Sequence, residues 1–222
     1  ICVGGAPSTP ELLRGAYEKL NCIVINGFGS SEGTNTATRP GDSMDTICNS
    51  VGRKACPYDT IKIIDDKGNE VPPGVEGELV SKGPGVFTGY FKSQEENKET
   101  FTEDGFFKTG DVGEFDRDGF LWFKGRKKDV IATAEGLKVY PQDLEAELDQ
   151  QPGIKESCVI GVEKDGKPAI HAVVLLEDKT ADVKAIVEKV NHRLADYQRI
   201  QSVSVWPAED FPRTATLKVK KN

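Results

Sequence analysis

Apolar residues change their spacing twice along this chain, and the changes mark out its elements. Ile1, Cys2 and Val3 form a short buried-strand run closed by Gly4, Gly5, Ala6 and Pro7, where glycine permits a tight turn at positive φ. Thr9 then reads as a helix N-cap, with Pro10 at the first helical position and Glu11 near the positive end of the helix dipole. Leu12, Leu13, Ala16, Tyr17 and Leu20 recur at helical spacing and predict one apolar face, and residues 22–25 predict a second strand directly afterwards. Strand, helix, strand predicts a βαβ unit with a parallel pair. Ligand loops in such sheets sit at the carboxyl ends of the strands, where residues 4–7 and 27–33 fall.

From about Thr34 the pattern becomes short strands at close spacing, with turn signals at residues 65–69, 72–74 and 116–119. Ile61 and Ile63, then Leu79, then Phe120 and Trp122 alternate with more polar neighbours, which predicts a small antiparallel sheet or barrel. Residues 93–101, rich in Gln, Glu and Lys, predict one exposed helix. The charged run Gly125-Arg126-Lys127-Lys128-Asp129 separates two apolar strands and is the expected boundary between domains 1–124 and 125–222. Beyond it the order is strand (130–132), helix (141–150), strands (157–162 and 170–177), helix (183–194) and strand (202–206). Val183, Ile186, Val187, Val190 and Leu194 share one face of that last helix. The expected class is α+β throughout.

Composition narrows the function. The 222 residues carry 29 Lys and Arg against 36 Asp and Glu, a net charge of −7 that argues against nonspecific nucleic-acid binding. The longest apolar runs, residues 158–162 and 172–176, fall far short of the roughly 20 residues of a transmembrane helix. Cys2, Cys22, Cys48, Cys56 and Cys158 are odd in number and hold no Cys-x-x-Cys pair, which suits reduced thiols in the cytoplasm. His171 and His192 are too few for a His-rich metal centre. Ile1 resembles neither a natural start nor a signal peptide, so the chain is expected to be cut from something longer.

Four segments carry chemistry. In Asn26-Gly27-Phe28-Gly29-Ser30-Ser31-Glu32-Gly33 the glycines let backbone N–H groups approach an anion and the hydroxyls can donate to phosphate oxygens. Phe28 offers a flat face to a heterocycle and Glu32 a ligand to Mg²⁺. Taken alone, the segment reads more simply as a loop of turn formers. In Lys108-Thr109-Gly110-Asp111-Val112-Gly113 an Asp on a tight Thr-Gly turn can accept from both hydroxyls of a ribose, although Asp is common on turns. The run from Arg126 to Asp129 is either a solvated surface or a hinge presenting Arg126 to a phosphate or ribose. The tail Phe211-Pro212-Arg213-Thr214-Ala215-Thr216-Leu217-Lys218 is either a frayed basic terminus or a lysine that enters a nucleotide site. Gly29-Ser30-Ser31-Glu32-Gly33 matches the hydrolase elbow Gly-x-Ser-x-Gly in letters, but no helical period follows it.

These segments, together with Ser50-Val51-Gly52-Arg53, Gly77-Glu78-Leu79 and Gly89-Tyr90, stand in an order that resembles the acyl-adenylate-forming (AMP-binding) superfamily over essentially the whole chain. That superfamily includes acyl-CoA synthetases, luciferases and adenylation domains of peptide synthetases. The resemblance implies activation of a carboxylic acid by ATP to an acyl-adenylate, then transfer to the thiol of coenzyme A or a carrier protein. It puts Gly5, Ala6 and Pro7 beside the adenine and acyl group, Phe28 and Gly29 against the adenine, and Ser31 at a phosphate. Glu32 becomes the Mg²⁺ ligand, and Asp111 with Arg126 holds the ribose of ATP or AMP. Lys128 falls at the domain hinge, Gly136 in the segment lining the pantetheine tunnel, and Lys218 at the lysine that bridges the substrate carboxylate and the α-phosphate.

This chain departs from the commonest patterns at Phe28 (for Tyr), Ser31 (for Thr) and Leu217 (for Gly), and by one extra residue after Gly125. The family's phosphate loop ending in Pro-Lys-Gly belongs upstream of Ile1, so the chain resembles the C-terminal portion of such an enzyme and is expected to be inactive alone. A catalytic ligase portion and a non-catalytic nucleotide- or pantetheine-binding module are the two readings, and Asp111, Arg126 and Lys218 together favour the first. The family's acyl pocket is built largely upstream, so fatty, aromatic and short-chain acids all stay open; the tail resembles long-chain acyl-CoA synthetases, which favours a fatty acid among them. Oligomeric state has no signature in the sequence.

Overall fold

The computed structural model describes residues 1–5, 8–164, 166–214 and 219–221. The chain divides into two compact units, Ile1–Lys127 and Lys128–Asn222.

In the first unit β1 (Cys2–Val3) pairs in parallel with β2 (Ile25–Gly29), on either side of helix α1 (Pro10–Leu20). Thr9 caps α1, its hydroxyl accepting from the Leu12 N–H at 3.2 Å. The βαβ unit is thus present, but β2 begins at Ile25 rather than at residue 22, and takes in Phe28 and Gly29, which the sequence assigned to a loop. Asn26 explains the shift. Buried within β2, it donates from Nδ2 to the Ile47 and Ser50 carbonyls at 3.1 and 3.0 Å, and so fixes the strand's register through a polar residue. Those carbonyls belong to the end of α2 (Met44–Asn49), a helix the sequence reading did not expect among the short strands; Ser43 caps it. Leu13, Val24, Ile47 and Cys48 form the core here. Only the Leu13 side of α1 is covered, and Leu12, Tyr17 and Leu20 of the expected apolar face remain 57%, 51% and 62% exposed.

Strands β3 (Asn35–Ala37) and β4 (Arg53–Lys54) extend this sheet in antiparallel fashion, in the order β1-β2-β3-β4. A second, wholly antiparallel sheet is built from β5 (Thr60–Ile64), β6 (Gly77–Lys82), β7 (Phe107–Phe115) and β8 (Leu121–Arg126). Ile63, Leu79 and Leu121 form its core, with Phe28 and Val51 packed on it. Between β6 and β7, helix α3 (Gln94–Thr100) buries no residue, as its composition predicted.

In the second unit β9 (Ile131–Ala132) and β10 (Lys138–Val139) form a two-stranded ribbon. Helix α4 (Pro141–Asp149) follows, then the long hairpin of β11 (Ile154–Lys164) and β12 (Lys167–Leu176), helix α5 (Val183–Asn191), and β13 (Ser202–Val205), which pairs with β12 in parallel. Asp182 caps α5, accepting from the Lys184 and Ala185 N–H groups, each at 3.1 Å; the helix ends three residues before the expected Leu194. Alternation along β11 divides its side chains between two layers. Val159 joins Leu144, Leu148, Ile170, Val187 and Val190 in one core, whereas Cys158 joins Leu175 and Phe211 in another. Among the described residues no helix is long and apolar enough to cross a membrane.

Candidate functional site

The parallel pair β1 and β2 ends at a cleft of about 610 Å³ whose lining includes Gly5, Phe28, Gly29, Ser30, Ser31 and Thr36. This is where a βαβ unit presents its ligand loops. Gly4 keeps the floor narrow, since a Cβ there would come within 2.7 Å of the Gly27 carbonyl oxygen. Phe28 stacks on Phe123 of β8, ring centroids 5.5 Å apart, so its ring is fixed from the sheet side while lining the cleft.

Past Phe28 the chain turns tightly, with the Ser30 N–H donating to the Thr34 carbonyl and the Gly33 N–H to the Ser30 carbonyl, both at 3.1 Å. It then enters β3, a strand, so the strand-turn-helix context of a hydrolase elbow is not met. Glu32 sits in this turn and accepts from the Tyr90 hydroxyl at 3.0 Å. Burial alone would push the Glu32 carboxyl up; its own backbone N–H, Tyr90, the Ser30 hydroxyl and the charge of Arg126 outweigh that and hold it below the ordinary value. Burial and the neighbouring Glu32 push the Tyr90 phenol up, so it remains a donor at neutral pH.

Asp111 and Arg126 form the second feature of this unit. The sequence put Asp111 on a turn; instead it lies within the nine-residue β7, at an irregularity where Lys108 opposes Val80 and Val112 opposes Glu78. Gly110 at the irregularity has φ +69°. Arg126 Nε lies 3.2 Å from Asp111 Oδ1, and the next residue, Lys127, pairs with Glu78 at 2.9 Å and Asp66 at 3.3 Å.

Gly5, Phe28, Gly29 and Ser31 therefore share one cleft, Glu32 follows in the same turn, and Arg126 acts electrostatically on Glu32 while pairing with Asp111. Lys128 and Gly136 belong to the second unit and to different features of it. Lys128 lines a cavity of about 350 Å³ together with Ile131, Val159 and Lys221. Gly136, at φ +78°, turns the chain between β9 and β10. Ala6, Pro7 and Lys218 lie outside the described residues. The described residues flanking 215–218 are anchored: Arg213 pairs with Glu156 at 2.5 Å and Asp210 at 2.6 Å, and Lys221 with Glu145 at 2.7 Å. Sequence reasoning missed these anchors and the Tyr90 hydroxyl; Gly89-Tyr90 stood among the motifs as the one signal for the latter.

A single carboxylate fits Mg²⁺ arriving with a nucleotide, because Mg²⁺ is usually held by one or two carboxylates plus substrate phosphates. Among the described residues no three His, Cys, Asp or Glu side chains gather into a closed metal site.

Residues 1–91 match the family model for AMP-binding enzymes, and residues 143–218 that for the AMP-binding enzyme C-terminal domain. Triostin synthetase I of Streptomyces triostinicus is 36% identical over 225 residues, taking in 100% of this chain and 42% of that protein. The 2,3-dihydroxybenzoate-AMP ligase of Bacillus subtilis is 33% identical over 223 residues, 99% of this chain and 40% of the ligase. The solved structure of the O-succinylbenzoate coenzyme A synthetase of Bacillus subtilis, in complex with ATP and magnesium ion, matches with a TM-score of 0.86 at 31% identity, over 99% of this chain and 44% of that one. The chain thus spans about two fifths of the length of the curated relatives it matches.

Proposed function

This chain belongs to the acyl-adenylate-forming family of AMP-binding enzymes, and on that premise we propose that the whole protein is an ATP-dependent ligase that activates a carboxylic acid and passes it to a thiol. In the first step a carboxylate oxygen attacks the α-phosphorus of ATP and pyrophosphate leaves. In the second a thiol sulfur, having lost its proton, attacks the acyl carbon and AMP leaves. The observation that carries this reading is the cleft at the ends of β1 and β2, where Gly5, Phe28, Gly29 and Ser31 meet and the carboxyl of Glu32 follows.

In this proposal Gly5, Ala6 and Pro7 border the adenine and acyl group, Phe28 and Gly29 receive the adenine, and Ser31 donates to a phosphate oxygen. Asp111 accepts from the ribose hydroxyls with Arg126 holding it in place. Glu32 would hold Mg²⁺, which when bound would supply positive charge to offset that of the phosphates. Lys218 neutralises charge between the two reacting anions, the kind of positioning and electrostatic work this reaction needs in place of a general base. Lys128 serves as the hinge between portions 1–124 and 125–222, and Gly136 borders the pantetheine of coenzyme A or of a carrier protein. Without the phosphate loop the 222 residues alone carry no adenylation activity.

For the acid, the tail from Arg213 to Lys218 supports a fatty acid, whereas two of the three relatives named above are named for a dihydroxybenzoate and a succinylbenzoate. The five unpaired cysteines suit a reducing compartment, the cytoplasm. The test is pyrophosphate release from the whole protein with ATP, Mg²⁺ and a panel of fatty and aryl acids, comparing the unaltered protein with Lys218→Ala. Acid-dependent release lost in the variant is expected. No release with any acid, from folded protein that still binds AMP, would replace the ligase with a nucleotide-binding module.

A further inference from the structure

Tyr90 presents one polar atom to Glu32, and its surroundings fix where that atom lies. The Tyr90 ring meets Phe87 edge-on at 4.9 Å, and Phe87 in turn packs against Phe101 at 5.4 Å and Phe107 at 5.0 Å. Its backbone is gripped from both sides by Asn97: the Tyr90 N–H donates to Asn97 Oδ1 at 2.7 Å, and Asn97 Nδ2 donates to the Tyr90 carbonyl at 2.9 Å. Asn97 is carried by α3, which buries no residue, and this two-way bond ties the helix to the segment before it. From the same segment the Phe87 N–H donates to the Glu32 carbonyl at 2.8 Å. Glu32 is thereby held at its backbone by Phe87 and at Oε1 by Tyr90, 58 residues away in sequence.

We infer that Tyr90 is a positioning residue that holds the Glu32 carboxylate in one orientation for a divalent cation bound with ATP, and that Asn97 sets Tyr90. This rests on the reading of Glu32 as the Mg²⁺ ligand. A carboxylate free to rotate must be ordered when the cation binds, and loss of a partner that orients a ligand typically costs 10–100-fold in metal affinity or activity.

Tyr90→Phe keeps the ring and removes only the hydroxyl. In the whole protein the Mg²⁺ concentration giving half-maximal pyrophosphate release is expected to rise about 10-fold, with the rate at saturating Mg²⁺ little changed. Mn²⁺ bound to the protein in the presence of ATP, followed by electron paramagnetic resonance, is expected to weaken by a similar factor. Asn97→Asp, which keeps the acceptor for the Tyr90 N–H and loses the donor, is expected to show a smaller rise. A purely architectural bond would lower the melting temperature and leave both cation readouts alone, and unchanged Mg²⁺ dependence and Mn²⁺ affinity in Tyr90→Phe would overturn the inference. Absence of pyrophosphate release from the unaltered protein would instead overturn the ligase reading, and the Mn²⁺ measurement still decides the role of Tyr90.

Discussion

Asp111 and Arg126 face one another across β7 and β8 as register partners, and the guanidinium is locked twice, by Asp111 Oδ1 at 3.2 Å from Nε and by the Thr109 carbonyl at 3.0 Å from Nη1. Thr109 completes the arrangement. Its hydroxyl donates to the Leu79 carbonyl at 2.8 Å and accepts from the Asp111 N–H at 3.0 Å, so the residue two before the acid ties the irregular stretch of β7 to β6. The Asp111 side chain is 6% exposed and that of Arg126 44%, which leaves the guanidinium as the open side of the pair. A buried acid held at a fixed angle by a planar fork is pre-organised to accept hydrogen bonds without reordering.

The irregularity depends on Gly110. At φ +69° an L side chain is strained, whereas the space is adequate, since a Cβ would meet only Arg126 Nη1 at 3.8 Å. Gly110→Ala should therefore cost about 1–2 kcal/mol through the backbone alone. Urea unfolding should show a lower midpoint with an unchanged slope. An unchanged midpoint would mean that the strand relaxes to a regular ladder and that the glycine is not required.

Arg126→Lys keeps the charge and loses the fork. A lysine cannot hold both Asp111 and the Thr109 carbonyl in the present geometry, and a hydrogen bond involving a charged group contributes about 1.5–3 kcal/mol. AMP affinity, measured by titration calorimetry on the whole protein, is expected to fall at least about 10-fold. Equal affinity would show that charge alone suffices and that the fork has no part in nucleotide binding.

Much of the second unit was legible because its elements obey one period each. Val187 and Val190 fall at helical spacing on α5 beneath an Asp cap, and both are buried. β2 was misplaced because Cys22, Ile23 and Val24 are the apolar run, yet Ile23 is exposed and the strand is fixed instead by the buried Asn26, a polar residue that no hydropathy pattern assigns to a core. The six-residue α2 escaped for want of length, being under two turns. At the site, the two glycine-containing segments that carry Gly5 and Phe28, Gly29 and Ser31 were legible as loops at strand ends, and these residues line one cleft. The bond from Tyr90 to Glu32 was not legible, since two residues 58 positions apart meet only once the chain is folded.

His171 gives the second unit an acid-sensitive element. Its Nδ1 lies 2.7 Å from Ser202 Oγ and its Nε2 2.9 Å from Ser204 Oγ, and burial holds its pKa below the ordinary value. The unfolded chain then binds the proton more readily, so stability falls as pH drops from about 6.5 and levels off below the folded pKa. His171→Gln should remove that part of the slope when unfolding free energies are compared between about pH 7 and pH 5. The same slope in the variant would assign the acid sensitivity to other groups.

Asp149 titrates with the opposite sign. Burial of the carboxyl, reinforced by the charges of Glu145 and Glu156 and opposed by hydrogen bonds from Ser157, pushes it from 3.8 up to about 6. Its folded pKa lies above its unfolded one, so its favourable contribution is complete below about pH 4 and is lost as pH rises through about 6. Asp149 also ends α4, where the helix dipole disfavours negative charge. Asp149→Asn removes the charge that neutral pH imposes, so the variant should be the more stable protein above pH 6, with the advantage shrinking toward pH 4. Asp149 as a whole is exposed to solvent, so screening keeps the effect small. Denaturant midpoints at about pH 7.5 and pH 4.5 test this directly. An equal difference between the two proteins at both pH values would assign the change to packing or hydrogen bonding and not to the ionisation of Asp149.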